Sequence, residues 1–200
     1  MENFILTPKQ IHNIYSCSYT VAESRGKKRQ HLINNTMIDS LKVLDKYNDC
    51  EFIPEVRINN NILWGKYFTV DVQVFKNNEL IEILLFKAPA SNFCQNHVNM
   101  LNARMGELVR LSPLIKTGVK LTFISLQPNT TPFFTKKGDI KHFESNHVVN
   151  MTLVKPYITV DFSDITITFD IVDVKSCKNK EDVKNIFLNE NVITNIEVHI

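Results

Sequence analysis

Two hundred residues, 44% hydrophobic and 22% charged, describe a chain able to bury one core and exclude a disordered or collagen-like one. A net charge of +2 neither demands nor excludes a polyanionic partner, because the local clustering of Lys and Arg matters more than the total.

Four scattered cysteines, Cys17, Cys50, Cys94 and Cys177, form no CxxC pair, so reduced and packed thiols are expected. The opening MENFILTPKQIHN lacks the basic-then-apolar pattern of a signal peptide, and no apolar run has the length of a membrane span. The expected location is the cytoplasm, with no membrane partner.

In chain order, TPKQIHNIYSC predicts a helix with Thr7 as N-cap and Pro8 in the first turn. QHLINNTMIDSLKVLDKYN predicts a second, with Leu32, Ile33, Thr36, Met37, Ser40, Leu41 and Leu44 on one stripe. CEFIPEVRI is a strand, and YFTVDVQVF and LIEILLF form a hairpin across the tight Lys76-Asn77-Asn78 turn. FCQNHVNMLNARMGELVRL returns to helical period, with Val98, Leu101, Met105 and Leu108 or Val109 on one face. VKLTFISL is another strand, followed by a proline-rich turn in QPNTTPFF and the polar stretch TKKGDIKHFESNHVV. A strand-rich tail, a short helix at NKEDVKNIF and a final strand at VITNIEVHI close the chain. The pattern predicts a single mixed α/β (α+β) domain over residues 1–200.

The hairpin carries a lone acid on one strand and a lone amine at the end of the other. Alternation puts Asp71 and Gln73 on one face, and Ile83, Leu85 and Lys87 on one face of the partner, with Glu82 on the other. A suitable register brings Asp71 and Lys87 together. A carboxylate can bind a hard divalent cation, and a neighbouring ammonium can hold an attacking water or offset charge on a phosphate. The ordinary account is a solvated pair of strand-end charges.

The order helix, strand, Asp-bearing strand, turn, Lys-bearing strand, long helix, strand resembles the core of the PD-(D/E)xK nucleases, whose best-known members are the type II restriction endonucleases. The similarity covers about residues 20–127, with TVDVQVF and LLFKAP as its two motif strands. Two positions depart from the family: residue 70 is valine rather than proline, and Leu85 stands where a second acid is usual. Some members supply that carboxylate from the following helix. The resemblance therefore implies a restriction-endonuclease-like mixed sheet flanked by helices, with residues 1–127 as nuclease core and 128–200 as a β-rich extension for DNA recognition or dimerisation. It implies Mg²⁺ as cofactor, with Asp71, Glu107 and then Glu55 as metal ligands, and Asp71, Lys87 and Glu107 as catalytic residues. The partner implied is double-stranded DNA, cut by a homodimer. Glu107 has an ordinary explanation too, since Arg104 and Arg110 lie three residues either side of it.

Two basic stretches would face DNA. ESRGKKRQH contributes Lys27, Lys28 and Arg29, with Glu23 as a water-mediated metal contact in the resemblance. TPFFTKKGDIKHFESNHVV contributes Lys136, Lys137 and Lys141 beside His142, His147 and two phenylalanines. A Cys94–His97 hydrolase is rejected for want of an elbow or oxyanion signal, and no phosphate-binding glycine loop is present. A silent DNA- or protein-binding relative of the same fold and an unrelated interaction protein are the competing readings.

Overall fold

The computed structural model describes the chain apart from residues 1–5, 21–26, 60–66, 149, 150, 152–154, 156 and 157; the side chains of residues 20, 27, 28 and 59 are also outside the description. A six-stranded mixed sheet runs β1-β2-β3-β4-β7-β8, and β5 and β6 form a separate hairpin. The strands are β1 Cys50–Asn59, β2 Tyr67–Lys76, β3 Glu79–Lys87, β4 Lys120–Pro128, β5 Thr130–Phe134, β6 Ile140–Ser145, β7 Ser163–Ile171 and β8 Ile193–His199. The helices are α1 Pro8–Thr20, α2 Lys27–Leu41, α3 Phe93–Lys116 and α4 Lys180–Ile186. The chain is a mixed α/β domain.

Helices cover both faces of the sheet. Ile14 and Tyr15 of α1, Ile33 and Met37 of α2, and Val183 of α4 join Val72, Leu84, Phe86 and Ile167 in one apolar layer. Leu108 and Leu111 of α3 join Val70, Ile83, Leu85 and Phe123 in the other. The stripe expected on α2 is present in part, through Ile33, Met37, Ser40 and Leu41. On α3, Leu108 is the buried choice, and both Val98 and Val109 are exposed.

The β2–β3 turn follows from its residues. Asn77 and Asn78 have φ of 52° and 64°, the two left-handed positions of a type I′ turn, which asparagine tolerates and which match strand twist. β1 is an edge strand, so Pro54 breaks no interior ladder. A capping box starts α4: the Asn179 side chain accepts from Asp182 N, and the Asp182 carboxylate accepts from Asn179 N.

One expectation is corrected here. QPNTTPFF is not a turn, because Pro128 ends β4 and Thr130–Phe134 is β5, paired antiparallel with β6. The residues after 127 are strand-rich, and two of their strands join the central sheet. The apolar β7 pairs in parallel with β4 and carries β8 on its far side, so the outer edge of β4 is sealed by strands from the C-terminal third. No helix among the described residues is long and apolar enough to cross a membrane.

Candidate active site

Register decides what the hairpin brings together. Val72 pairs with Leu84 and Gln73 with Ile83, so the same register puts Asp71 across from Leu85, one alternation from Lys87. The ladder between β2 and β3 stops at Val72–Leu84. Just beyond that point Asp71 Oδ2 accepts from Phe86 N at 2.6 Å, so a side chain supplies the next rung. Gln30 Nε2 donates to Asp71 Oδ1 at 3.1 Å and to Asn34 Oδ1 at 2.9 Å, one turn along α2. Asn34 Nδ2 in turn donates to the Asp71 carbonyl at 3.4 Å.

The ribbon also turns over at this residue. Val72 and Val74 pack in the α1/α2 layer, whereas Val70 and Phe68 pack in the α3 layer. On β1 the matching break is Glu55, with φ of 54°, between Pro54 (paired with Val72) and Val56 (paired with Val70). Asp71 therefore lies where the ribbon changes faces, largely withdrawn from water. That burial pushes its carboxyl up to about 6; the Phe86 amide and Lys87 oppose the rise, and Glu107 and Glu55 add to it.

Glu107 arrives from α3. Its Oε1 accepts from Lys87 Nζ at 3.2 Å, with side-chain exposures of 12% and 31%, and its Oε2 is buried without a hydrogen-bond partner. The flanking arginines are engaged elsewhere: Arg104 is fully buried and pairs with Asp164 at 3.1 Å, and Arg110 lies over the Phe68 ring. Asp71, Lys87 and Glu107 thus converge from three elements. Leu85 does not join them, because it is 2% exposed in the apolar layer under α3. Glu82 lies on the opposite face, where its carboxylate accepts from Tyr47 Oη at 2.9 Å and Thr122 Oγ1 at 2.6 Å.

A desolvated carboxylate and an orphaned carboxylate oxygen are both relieved by positive charge, so Asp71 and Glu107 suit a hard divalent ion. Glu55, the expected third ligand, is exposed with His31 Nδ1 at 3.9 Å. Among the described residues no three His, Cys, Asp or Glu side chains form a ligand cluster. No family model, curated protein or solved structure matches the chain.

Lys87 lines a cleft of about 760 Å³ together with Gln30 and Phe86, which both bond to Asp71; Asp71 and Glu107 lie behind that lining rather than in it. Among the described residues four cations line it, Arg29, Lys87, Lys136 and Lys180, and no carboxylate does. Arg29 is turned inward rather than presented to solvent: Nε donates to Ser18 Oγ at 2.6 Å, and a guanidinium N–H donates to the Ala88 carbonyl. Lys137 and Lys141 are exposed and outside the lining. Lys27 and Lys28 begin α2 with side chains outside the described residues, as is Glu23.

Sequence reasoning missed Gln30, Asn34, Lys180 and the asparagines of the cleft wall. The spacing of Asn92, Asn96 and Asn99 is the signal that was available, since one helix face recurs every three to four residues. Cys94 and His97 are no nucleophilic pair: His97 Nδ1 lies 2.6 Å from the Cys94 carbonyl oxygen, and burial with the nearby Glu144 raises the thiol's pKa.

Proposed function

We propose that the protein is a Mg²⁺-dependent DNA endonuclease of the PD-(D/E)xK kind, hydrolysing phosphodiester bonds at specific duplex sites. The observation that carries this reading is the Lys87–Glu107 pair next to the desolvated Asp71, beside a cleft whose charged lining residues, among those described, are all cations. Asp71 and Glu107 would hold the ion, which lowers the pKa of its bound water and offsets charge on the phosphoryl oxygens.

The chain's own groups do the rest. Gln30 and the Phe86 amide fix the Asp71 carboxylate. Lys87 keeps Glu107 Oε1 in place and has N–H donors left to orient a water or a phosphoryl oxygen. Arg29, bonded to the Ala88 carbonyl, holds the segment that follows Lys87. Cutting both strands calls for two copies about a two-fold axis, matching a palindromic site.

The test is incubation of supercoiled plasmid with Mg²⁺ or EDTA, repeated with Asp71→Ala, Lys87→Ala and Glu107→Gln. Discrete fragments that need Mg²⁺ and slow by about 100-fold or more in each variant are expected. Fragments undiminished in the variants would overturn the assignment. A second reading has its own observation: with Leu85 committed to the core, the fold serves DNA binding alone, and retention of plasmid without cutting in any divalent ion is its signature.

A further inference from the structure

The cleft has two positive poles in an otherwise uncharged lining. One pole is Lys87 with Arg29, tied together through the bond from Arg29 to the Ala88 carbonyl. The other is the β5–β6 turn with the start of α4. There Lys180 N donates to the Gly138 carbonyl at 2.9 Å, and Gly138 N to the Thr135 carbonyl at 3.0 Å, placing Lys136 and Lys180 at one end. The rest of the lining is uncharged, and includes Asn96, Asn99, Met100 and Phe134.

The hairpin turn is held firmly. Asn92 Oδ1 accepts from Phe134 N at 3.0 Å, Asn92 N donates to the Pro132 carbonyl at 3.1 Å, and Glu144 accepts from Cys94 N at the start of α3. The far pole is thereby fixed relative to the helix that carries Glu107.

A single phosphate would call for cations gathered at one point. Cations supplied from two parts of the chain, with amides and aromatic rings in the same lining, fit a chain of phosphates carrying a base and sugar. The volume falls in the range of small-ligand pockets, room for a few nucleotides of one strand rather than for a duplex.

We propose that the cleft takes one unpaired DNA strand, with Lys136 and Lys180 gripping backbone phosphates on the far side of the bond presented at Lys87. A duplex substrate would give up one strand locally to be cut. The inference rests on the nuclease reading only for its alignment with Asp71 and Glu107, and not for the binding itself.

The experiment is fluorescence anisotropy in EDTA with labelled oligothymidylate, against a blunt duplex of equal length and free thymidine monophosphate as competitor. The full chain is compared with Lys136→Glu/Lys180→Glu and with Lys137→Glu/Lys141→Glu, whose side chains lie on the same hairpin outside the cleft. All four lysines are exposed, and circular dichroism checks that each variant is folded.

The single strand is expected to bind at least tenfold more tightly than the duplex. The first variant should lose at least tenfold in affinity and flatten the slope of log K against log salt by about 1.4, two phosphate contacts at about 0.7 each. The second variant should change by less than twofold. Equal or tighter duplex binding, an unchanged first variant, or competition by the mononucleotide at the oligomer's own concentration would overturn the inference. A chain that binds in this way yet cuts nothing removes the nuclease reading and leaves the strand cleft standing. A chain that cuts while the first variant binds normally does the reverse.

Discussion

Asp71→Asn separates the chemistry of the site from its structural cost. The substitution keeps an oxygen for the Phe86 amide and removes the charge that burial disfavours. In the folded chain the carboxyl is raised from 3.8 to about 6, so the native state holds its proton more tightly than the unfolded chain. Below about pH 4 both states are protonated and the wild-type residue costs nothing. Between about pH 4 and 6 the unfolded chain releases its proton first, so wild-type stability falls, and above about pH 7 the loss is complete. A rise of about two units at about 1.36 kcal/mol each gives a penalty of up to about 3 kcal/mol. The variant escapes it, and its Tm near neutral pH should lie about 6–12 °C above wild type, with little difference near pH 4. Urea unfolding of both proteins across that range measures the gap, and the plasmid assay should show cleavage abolished in the more stable protein. A gap independent of pH, or a variant less stable at every pH, would refute the account of Asp71 as a desolvated carboxylate.

Three further outcomes follow from the same geometry. Excess Mg²⁺ should raise the wild-type Tm and leave that of Asp71→Asn unmoved, and equal shifts in both would place the ion elsewhere. Leu85→Glu, which supplies the acid that the family usually carries there, should lower the urea midpoint by at least about 3 kcal/mol of stability, because its carboxylate would enter the layer of Leu108 and Leu111; native stability with faster cleavage would contradict this. Arg104→Met strands Asp164 without its partner and should cost about 3–5 kcal/mol, with most of the loss recovered in Arg104→Met/Asp164→Leu, read again by urea midpoint.

Sequence periodicity located the hairpin, all four helices and most of the sheet, because Asn-Asn turns, Pro-led helix starts and apolar alternation are local signals. It named Asp71, Lys87 and Glu107 as a group through the resemblance; in the structure the hairpin carries Asp71 and Lys87, and α3 brings Glu107 to Lys87. It could not place β7 beside β4, since a parallel pairing between strands about 40 residues apart leaves no local trace. QPNTTPFF was misread for a related reason: its prolines look like turn residues, yet Pro128 is the last residue of β4 and Pro132 sits in the two-stranded β5–β6 ribbon, where a missing amide is tolerated. Arg29 and Arg104 show the limit for charges. Composition expects both at the surface, and only tertiary structure supplies the Ala88 carbonyl for one and Asp164 for the other. The cleft is assembled from α1, α2, the β3–α3 segment, the β5–β6 turn and α4, so no single stretch of chain could announce it.

The side-chain rung between Asp71 and the Phe86 amide makes this position answer to two masters. A descendant that abandoned chemistry would still need an acceptor here, or an amide would be left stranded in the sheet, so an aspartate persisting at 71 is no proof of a working enzyme. Asparagine would keep an acceptor for that amide and relieve the fold of an unwelcome charge, at the cost of the bond from Gln30. The choice between those two residues, and not the mere presence of something polar, is therefore where selection for catalysis would be recorded.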